Sequence, residues 1–163
     1  MPALAAKTLY DIVTRSAEET IAFGRTLAAA LYPPCLVSLE GELGSGKTTL
    51  TKGIATGLGA AREEDVTSPS FTLVHEYGSA GAPLDSAAAV IRVFHVDLYR
   101  VESARDAESL GLEEMFGASA VVIIEWGEKL AHAPAVPLIR VRFESLGADE
   151  RHITVEGSAD LRF

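Results

Sequence analysis

LVSLEGELGSGKTTLTKGI, residues 36–54, holds Gly41, Gly46, Lys47 and Thr48 in the spacing G-x-x-x-x-G-K-[ST] without a gap. A short apolar run, CLVSLEG, enters this turn, and a helical pattern from Thr48 to about Leu58 leaves it. Each residue type has a mechanical reason. The glycines let the backbone turn with positive φ and approach an anion without a Cβ in the way. The amides of such a turn converge into an anion nest, and the helix that follows adds its positive dipole end. Lys47 is placed to reach the β- and γ-phosphates of a nucleotide, and Thr48 to ligate Mg²⁺. The spacing alone arises by chance in roughly one in a few hundred chains of this length. A strand before it and a helix after it make the context that chance does not supply. Gly41, Glu42, Leu43, Gly44, Ser45, Gly46, Lys47, Thr48 and Thr49 are therefore read as the nucleotide-binding segment.

The flanking elements fit an α/β chain. TRSAEETIAFGRTLAAAL reads as a helix with Ser16 as N-cap, Glu19 completing a capping box, and Ile21, Phe23, Leu27 and Leu31 facing the core; Pro33-Pro34 ends it. FTLVHEYG and VIRVFHVDLYRV read as strands, SARDAESLGLEEMF as a helix, and AVVIIEW as a strand buried on both faces. LIRVRFES and RHITVEG, joined by LGAD, read as a C-terminal hairpin. GSAGAPLDSAA, residues 78–88, reads as a loop. The expectation is one domain over residues 1–163, with helices on both sides of a mostly parallel sheet and antiparallel pairing at the terminal hairpin.

The 163-residue chain is 48% hydrophobic, enough for a packed core, and its net charge of −9 argues against broad binding to nucleic acid. Cys35 is the only cysteine, which excludes an internal disulfide; it reads as a small buried apolar residue. The N-terminus lacks a signal-peptide pattern, and no run of about 20 apolar residues offers a membrane span, so a cytoplasmic location is expected.

A phosphate loop needs a carboxylate near its metal, at the carboxyl end of a neighbouring strand. Asp97 follows IRVFHV and Glu125 follows VVII. Asp97 could instead cap the strand or pair with Arg100. Glu125 follows four apolar residues and would be costly to bury without a cation beside it. Trp126, the single tryptophan, reads equally as core or as a partly exposed contact. Ser68-Pro69-Ser70, before Phe71 and Thr72, is an ordinary turn on its residues alone, or a hydroxyl-bearing loop that senses the γ-phosphate. His75, His95, His132 and His152 show no metal-ligand spacing and read as structural or exposed. Arg62, Arg100 and Arg151 are the arginines considered as a finger, each otherwise a solvated surface residue.

Together, GELGSGKTTL, VTSPSFTLVHEY, FHVDLYR, LGLEEMF and IIEWGEKL, in that order and after SAEET…GRTLA, resemble the TsaE (YjeE) family over about residues 16–130. That resemblance implies a three-layer P-loop fold and an ATPase that binds ATP and Mg²⁺ and turns over slowly alone. It implies action with the TsaB–TsaD pair, resetting it between rounds of threonylcarbamoylation of adenosine 37 in tRNAs that read ANN codons; the acidic balance of the chain favours tRNA contact that is indirect, through those partners, or weak. It further implies that Thr48 and Glu125 hold the metal and Asp97 is the active-site aspartate. Trp126 would be the strand-end tryptophan and Ser68 to Thr72 the switch-like loop, and Ser16–Ala17 would approach the nucleotide. Lys47, Asp97 and Glu125 are thus the expected catalytic set. The loop at 78–88 is longer and richer in alanine than the family pattern. Two other readings use the same loop: a small-molecule kinase, which ordinarily adds an arginine-rich lid not found here, and a non-catalytic module with ATP as a structural ligand.

Overall fold

A computed structural model describes residues 7–78, 91–130, 132 and 135–157. The expected 78–88 loop lies, apart from its first residue, outside the described residues. Seven strands form one sheet in the order β1-β7-β6-β2-β5-β4-β3. They are β1 (Lys7–Thr14), β2 (Cys35–Glu40), β3 (Val74–Tyr77), β4 (Val93–Asp97), β5 (Val121–Glu125), β6 (Leu138–Gly147) and β7 (Glu150–Gly157). The central strands β6, β2, β5 and β4 run parallel. The edges are antiparallel: β3 on β4 at one side, β7 on β6 and β1 on β7 at the other.

Alternation along the central strands divides the core. Cys35, Val37 and Leu39 of β2 and Val121 and Ile123 of β5 face α1 (Ala17–Ala28) and α2 (Lys47–Gly57), meeting Phe23, Leu27, Leu50 and Ile54. Leu36, Val122, Ile124, Phe94 and Val96 face the other way, toward Leu112 and Met115. Those two belong to α4 (Leu112–Gly117), which follows α3 (Ala104–Glu108). Helices on both faces give the expected three layers. The Ser16 side chain accepts from Glu19 N at 3.1 Å, as the capping box requires, and Glu19 Oε2 takes the Arg15 amide in return. α1 then packs on α2 backbone to backbone: a Cβ on Gly53 would stand 2.0 Å from the Ile21 carbonyl oxygen. This close crossing carries the N-terminus of α1 to the mouth of the loop at residues 41–46.

Four expectations need correction. The pattern over 103–116 is two short helices, because Gly111 turns with φ 76° between them. The strand expected from Phe71 starts only at Val74, since residues 71–73 form a turn ending in left-handed Leu73 (φ 67°). The strand expected across 90–101 stops at Asp97. The first helix ends at Ala28, before the prolines. One strand escaped the reading: β1, whose Leu9, Tyr10 and Ile12 pack against the core.

Candidate active site

The loop between β2 and α2 turns through Gly44 (φ 77°) and Gly46 (φ 108°), both in the left-handed region that glycine tolerates without a Cβ clash. Gly46 is the N-cap of α2, so Lys47, Thr48 and Thr49 open the helix. A cleft of about 420 Å³ lies over this turn. The loop and the start of α2 contribute Leu43, Gly44, Gly46, Lys47, Thr48 and Thr49 to its lining, the Ser68–Ser70 turn and the strand ends contribute Ser68, Ser70, Asp97, Glu125 and Trp126, and α1 and the C-terminal hairpin contribute Ala17, Asp149 and Arg151.

Lys47 is only 5% exposed. Its Nζ donates to Gly41 O at 2.6 Å, Glu42 O at 2.7 Å and Ser45 Oγ at 3.3 Å, and lies 4.2 Å from the centre of the Trp126 ring. Burial lowers its pKa from the ordinary lysine value, while Glu125, Glu128 and Asp97 pull the other way and favour the ammonium.

The carboxylates arrive by strand register. Asp97 and Glu125 are paired partners on adjacent parallel strands, at the carboxyl ends of β4 and β5, and both are buried. Side chains two apart on a strand share a face. His95 and Asp97 therefore point with Glu125 toward the start of α2. Thr48 Oγ1 donates to Glu125, 2.9 Å from Oε1 and 3.1 Å from Oε2. His95 Nε2 stands 2.6 Å from Glu125 Oε2. Asp97 accepts from Ser68 Oγ at 2.8 Å and from the Tyr99 amide at 2.8 Å. Ser68 in turn sits 3.2 Å from Ser70 Oγ. The Ser68–Ser70 turn is thereby tied to the strand-end acid, and Leu73 O accepts from the Asp97 amide at 3.0 Å.

Trp126 adopts φ 63° directly after β5 and stacks on Tyr99 with ring centroids 5.2 Å apart. Left-handed Leu73 and Trp126 flank the two acids, and such residues persist only where surrounding contacts hold them. Phe71 is 83% exposed, and Arg100 lies over its ring at 4.5 Å. Pro69 accepts from the Leu73 amide, and Thr72 lies in the same turn without lining the cleft.

Of the three arginines, Arg62 stands apart, paired with Glu64 and Asp65 at the surface. Arg100 and Arg151 line the cleft. Arg151 donates to Gly44 O at 3.1 Å, clasping the C-terminal hairpin to the loop. The site thus brings together Lys47, Thr48, Asp97, Glu125 and Trp126 as expected. It adds Tyr99 and Asp149, which the sequence did not single out, and His95, expected only to be structural or exposed. For His95 a signal was available, since its two-residue spacing from Asp97 puts both on one face.

The family model described as "Threonylcarbamoyl adenosine biosynthesis protein TsaE" matches residues 14–153. The chain belongs to the TsaE family. Similar proteins of that family include one from Bacillus subtilis, 38% identical over 86% of this chain and 81% of its own length. Another, from Streptomyces coelicolor, is 41% identical over 82% and 87%, and a third, from Treponema pallidum, 34% identical over 88% and 97%. All three carry the name tRNA threonylcarbamoyladenosine biosynthesis protein TsaE. A crystal structure of Bacillus subtilis YdiB superposes with a TM-score of 0.69 at 32% identity, covering 96% of this chain and 89% of that one. The match to the TsaE family spans every residue of the cleft named above.

Metal fit can be judged from donor chemistry. Mg²⁺ takes hard oxygen ligands and is ordinarily bound by one or two carboxylates, a hydroxyl and substrate phosphates. The Thr48 hydroxyl and the Glu125 carboxylate meet at the floor of the cleft, with Asp97 as its paired neighbour in the sheet. This donor set fits Mg²⁺. Among the described residues no group of three or more His, Cys, Asp or Glu side chains is placed to hold a metal ion.

Proposed function

We propose that the chain is a Mg²⁺-dependent ATPase serving threonylcarbamoylation of adenosine 37 in tRNAs that read ANN codons. Its partner is the TsaB–TsaD complex, which it resets between turnovers. Relatives named for tRNA threonylcarbamoyladenosine biosynthesis support the pathway. The observation that carries the chemistry is the bridge from Thr48, opening the loop helix, to Glu125, ending β5.

In this reading the loop amides and Lys47 bind the β- and γ-phosphates and offset the charge that develops on the transferred group. Thr48 and Glu125 hold Mg²⁺, which when bound neutralises the phosphate oxygens. Asp97, fixed by Ser68 and the Tyr99 amide, orients the attacking water or the metal's water shell. Arg100 is stacked on Phe71, and Arg151 is engaged by carbonyl oxygens of Gly44, Ala148 and Glu150. Neither guanidinium serves as an arginine finger in this reading, so intrinsic turnover is low and a partner raises it. The partner surface is the rim of the cleft, where Leu43, Phe71 and Tyr99 are large apolar side chains left exposed. In this reading hydrolysis alters that contact through the Ser68–Thr72 turn, whose Ser68 is tied to Asp97. Threonylcarbamoyl transfer belongs to TsaD, and the setting is the cytoplasm; no helix among the described residues is long and apolar enough to cross a membrane.

Reconstitution tests this. Multiple-turnover modification of tRNA by TsaB–TsaD should require both this chain and ATP. Sustained turnover without either one removes the proposed role.

A further inference from the structure

We propose that His95 is a positioning residue for the metal-holding carboxylate: its Nε2–H fixes Glu125 Oε2 from within the sheet, so that the carboxylate is presented to Mg²⁺ in one orientation. The inference rests on the reading of Thr48 and Glu125 as the metal-holding pair.

His95 is fully buried and Glu125 is 3% exposed. A carboxylate taken out of water needs hydrogen bonds to its lone pairs, and a buried imidazole needs partners for both nitrogens. The two answer each other across 2.6 Å. The direction of the bond follows from the partners. A carboxylate oxygen only accepts, so the proton sits on Nε2 whichever charge state the ring adopts. The opposite nitrogen, Nδ1, faces the Tyr77 hydroxyl at 3.4 Å, and that hydroxyl lies equally far from His75 Nδ1. A polar chain therefore runs from the helix that opens at Lys47, through Glu125 and His95, to the edge strand β3.

The geometry separates positioning from packing. A histidine needed only to fill space could be any apolar side chain, and below the strand-end acids Asp97 and Glu125 the rest of that face of β4 and β5 is apolar: Val93, Val121 and Ile123. The polar residue among them, His95, bonds the one acid of β5. Thr48 touches both carboxylate oxygens, but from the cleft side, where metal and nucleotide compete for its hydroxyl. His95 holds Oε2 from the side that no ligand reaches. Partners behind a metal ligand typically alter metal affinity by about 10–100-fold when removed.

The test titrates a fluorescent ATP analogue against the purified chain at a series of Mg²⁺ concentrations, for the wild type, His95→Leu and His95→Gln. His95→Leu should raise the Mg²⁺ concentration for half-maximal binding by at least about 10-fold. Binding measured in EDTA should stay unchanged. His95→Gln, whose amide can donate to the same oxygen, should recover most of the loss. A folded His95→Leu protein with the wild-type Mg²⁺ response overturns the inference, and so does a Gln variant as impaired as Leu. If the Leu variant does not fold, ¹⁵N-histidine NMR of the wild type decides. A proton on Nε2, with a resonance that shifts when Mg²⁺ joins the bound analogue, upholds the assignment; an Nε2 without a proton ends it. Failure of the parent reading looks different: the wild type would then bind the analogue with no response to Mg²⁺ at all.

Discussion

The Lys47 ammonium rests on the Trp126 ring, 4.2 Å from its centre, while three oxygens of its own loop hold it from the other side. Trp126 is the only tryptophan in the chain, so its emission reports on this one contact. Drawing Lys47 toward phosphates must change the indole's surroundings. ATP should therefore shift or quench the intrinsic fluorescence in a saturable way. Lys47→Ala should show an altered spectrum at the outset and no ATP response, with triphosphate affinity lost. Unchanged affinity of that variant in an independent titration removes the phosphate-loop assignment.

Glu125→Gln separates binding from hydrolysis. The amide keeps the shape and can still meet Thr48, but it brings no charge to a metal. In EDTA nucleotide should bind within a few-fold of wild type, because the loop amides and Lys47 are untouched. Partner-stimulated hydrolysis should fall by about 100-fold or more, the scale of removing one electrostatic contributor to a transition state. Hydrolysis near the wild-type rate returns Glu125 to a structural role.

The parts of this site differ in how plainly the sequence announces them. The loop at 41–48 is legible because its residues act through backbone geometry and the immediately following helix, all within a short stretch. Asp97 and Glu125 are legible as strand-end acids after apolar runs. The spacing of His95 from Asp97 gives its face but not its role, because that depends on Glu125, 30 positions away, which reaches it only through parallel pairing of β4 with β5. The same limit hides β1: its burial pattern is mixed, and its pairing with β7 joins opposite ends of the chain. The break at Gly111 shows local chemistry overruling periodicity, since the apolar spacing over 103–116 continues across a residue that turns left-handed.

Gly53→Ala tests the crossing of the two helices that frame the loop. A methyl there would meet the Ile21 carbonyl at 2.0 Å, a backbone atom that cannot swing aside. Helix propensity favours alanine by about 1 kcal/mol, yet overpacking costs about 1–3 kcal/mol or more and should win. Thermal denaturation should show a net loss of stability, with ATP affinity reduced as α1 is pushed from the cleft. A stabilised variant would mean that the helices separate freely.

Cys35 is 1% exposed at the start of β2, and burial pushes its thiol up to about 12. It should stay protonated and unreactive toward a disulfide reagent at pH 8, and label fully only in denaturant. The slow labelling rate of the folded protein then measures opening of the central sheet. Rapid stoichiometric labelling without denaturant contradicts the placement of β2 at the centre.

His152 on β7 lies between Asp11 of β1, 2.6 Å from Nε2, and Glu144 of β6, 3.6 Å from Nδ1. The hydrogen bond to Asp11 and the neighbouring Glu144 carboxylate raise its pKa above the ordinary 6.5. The folded state therefore favours the imidazolium. The resulting stabilisation is fully present below pH 6.5 and is lost as pH climbs through the raised folded-state value. The wild type should exceed His152→Gln in melting temperature most clearly near pH 5.5 and converge with it by pH 9, more so at low salt. A gap that widens with pH reverses the sign and excludes the trio.

Phe71→Ala asks whether the exposed rim serves a partner. The ring is 83% exposed and touches the Arg100 guanidinium, so its removal leaves the core intact and changes stability by under about 0.5 kcal/mol. It does not line the cleft, so ATP affinity and the slow intrinsic hydrolysis should hold. What should fall is the rise in hydrolysis on adding TsaB–TsaD, by about 10-fold or more if the ring is an anchor at that interface. Freeing Arg100 from the ring makes the alternative outcome informative. If intrinsic hydrolysis of Phe71→Ala increases instead, the Phe71–Arg100 stack restrains a guanidinium that would otherwise reach the phosphates, and the low turnover of the isolated chain originates in that contact rather than in the absence of a partner.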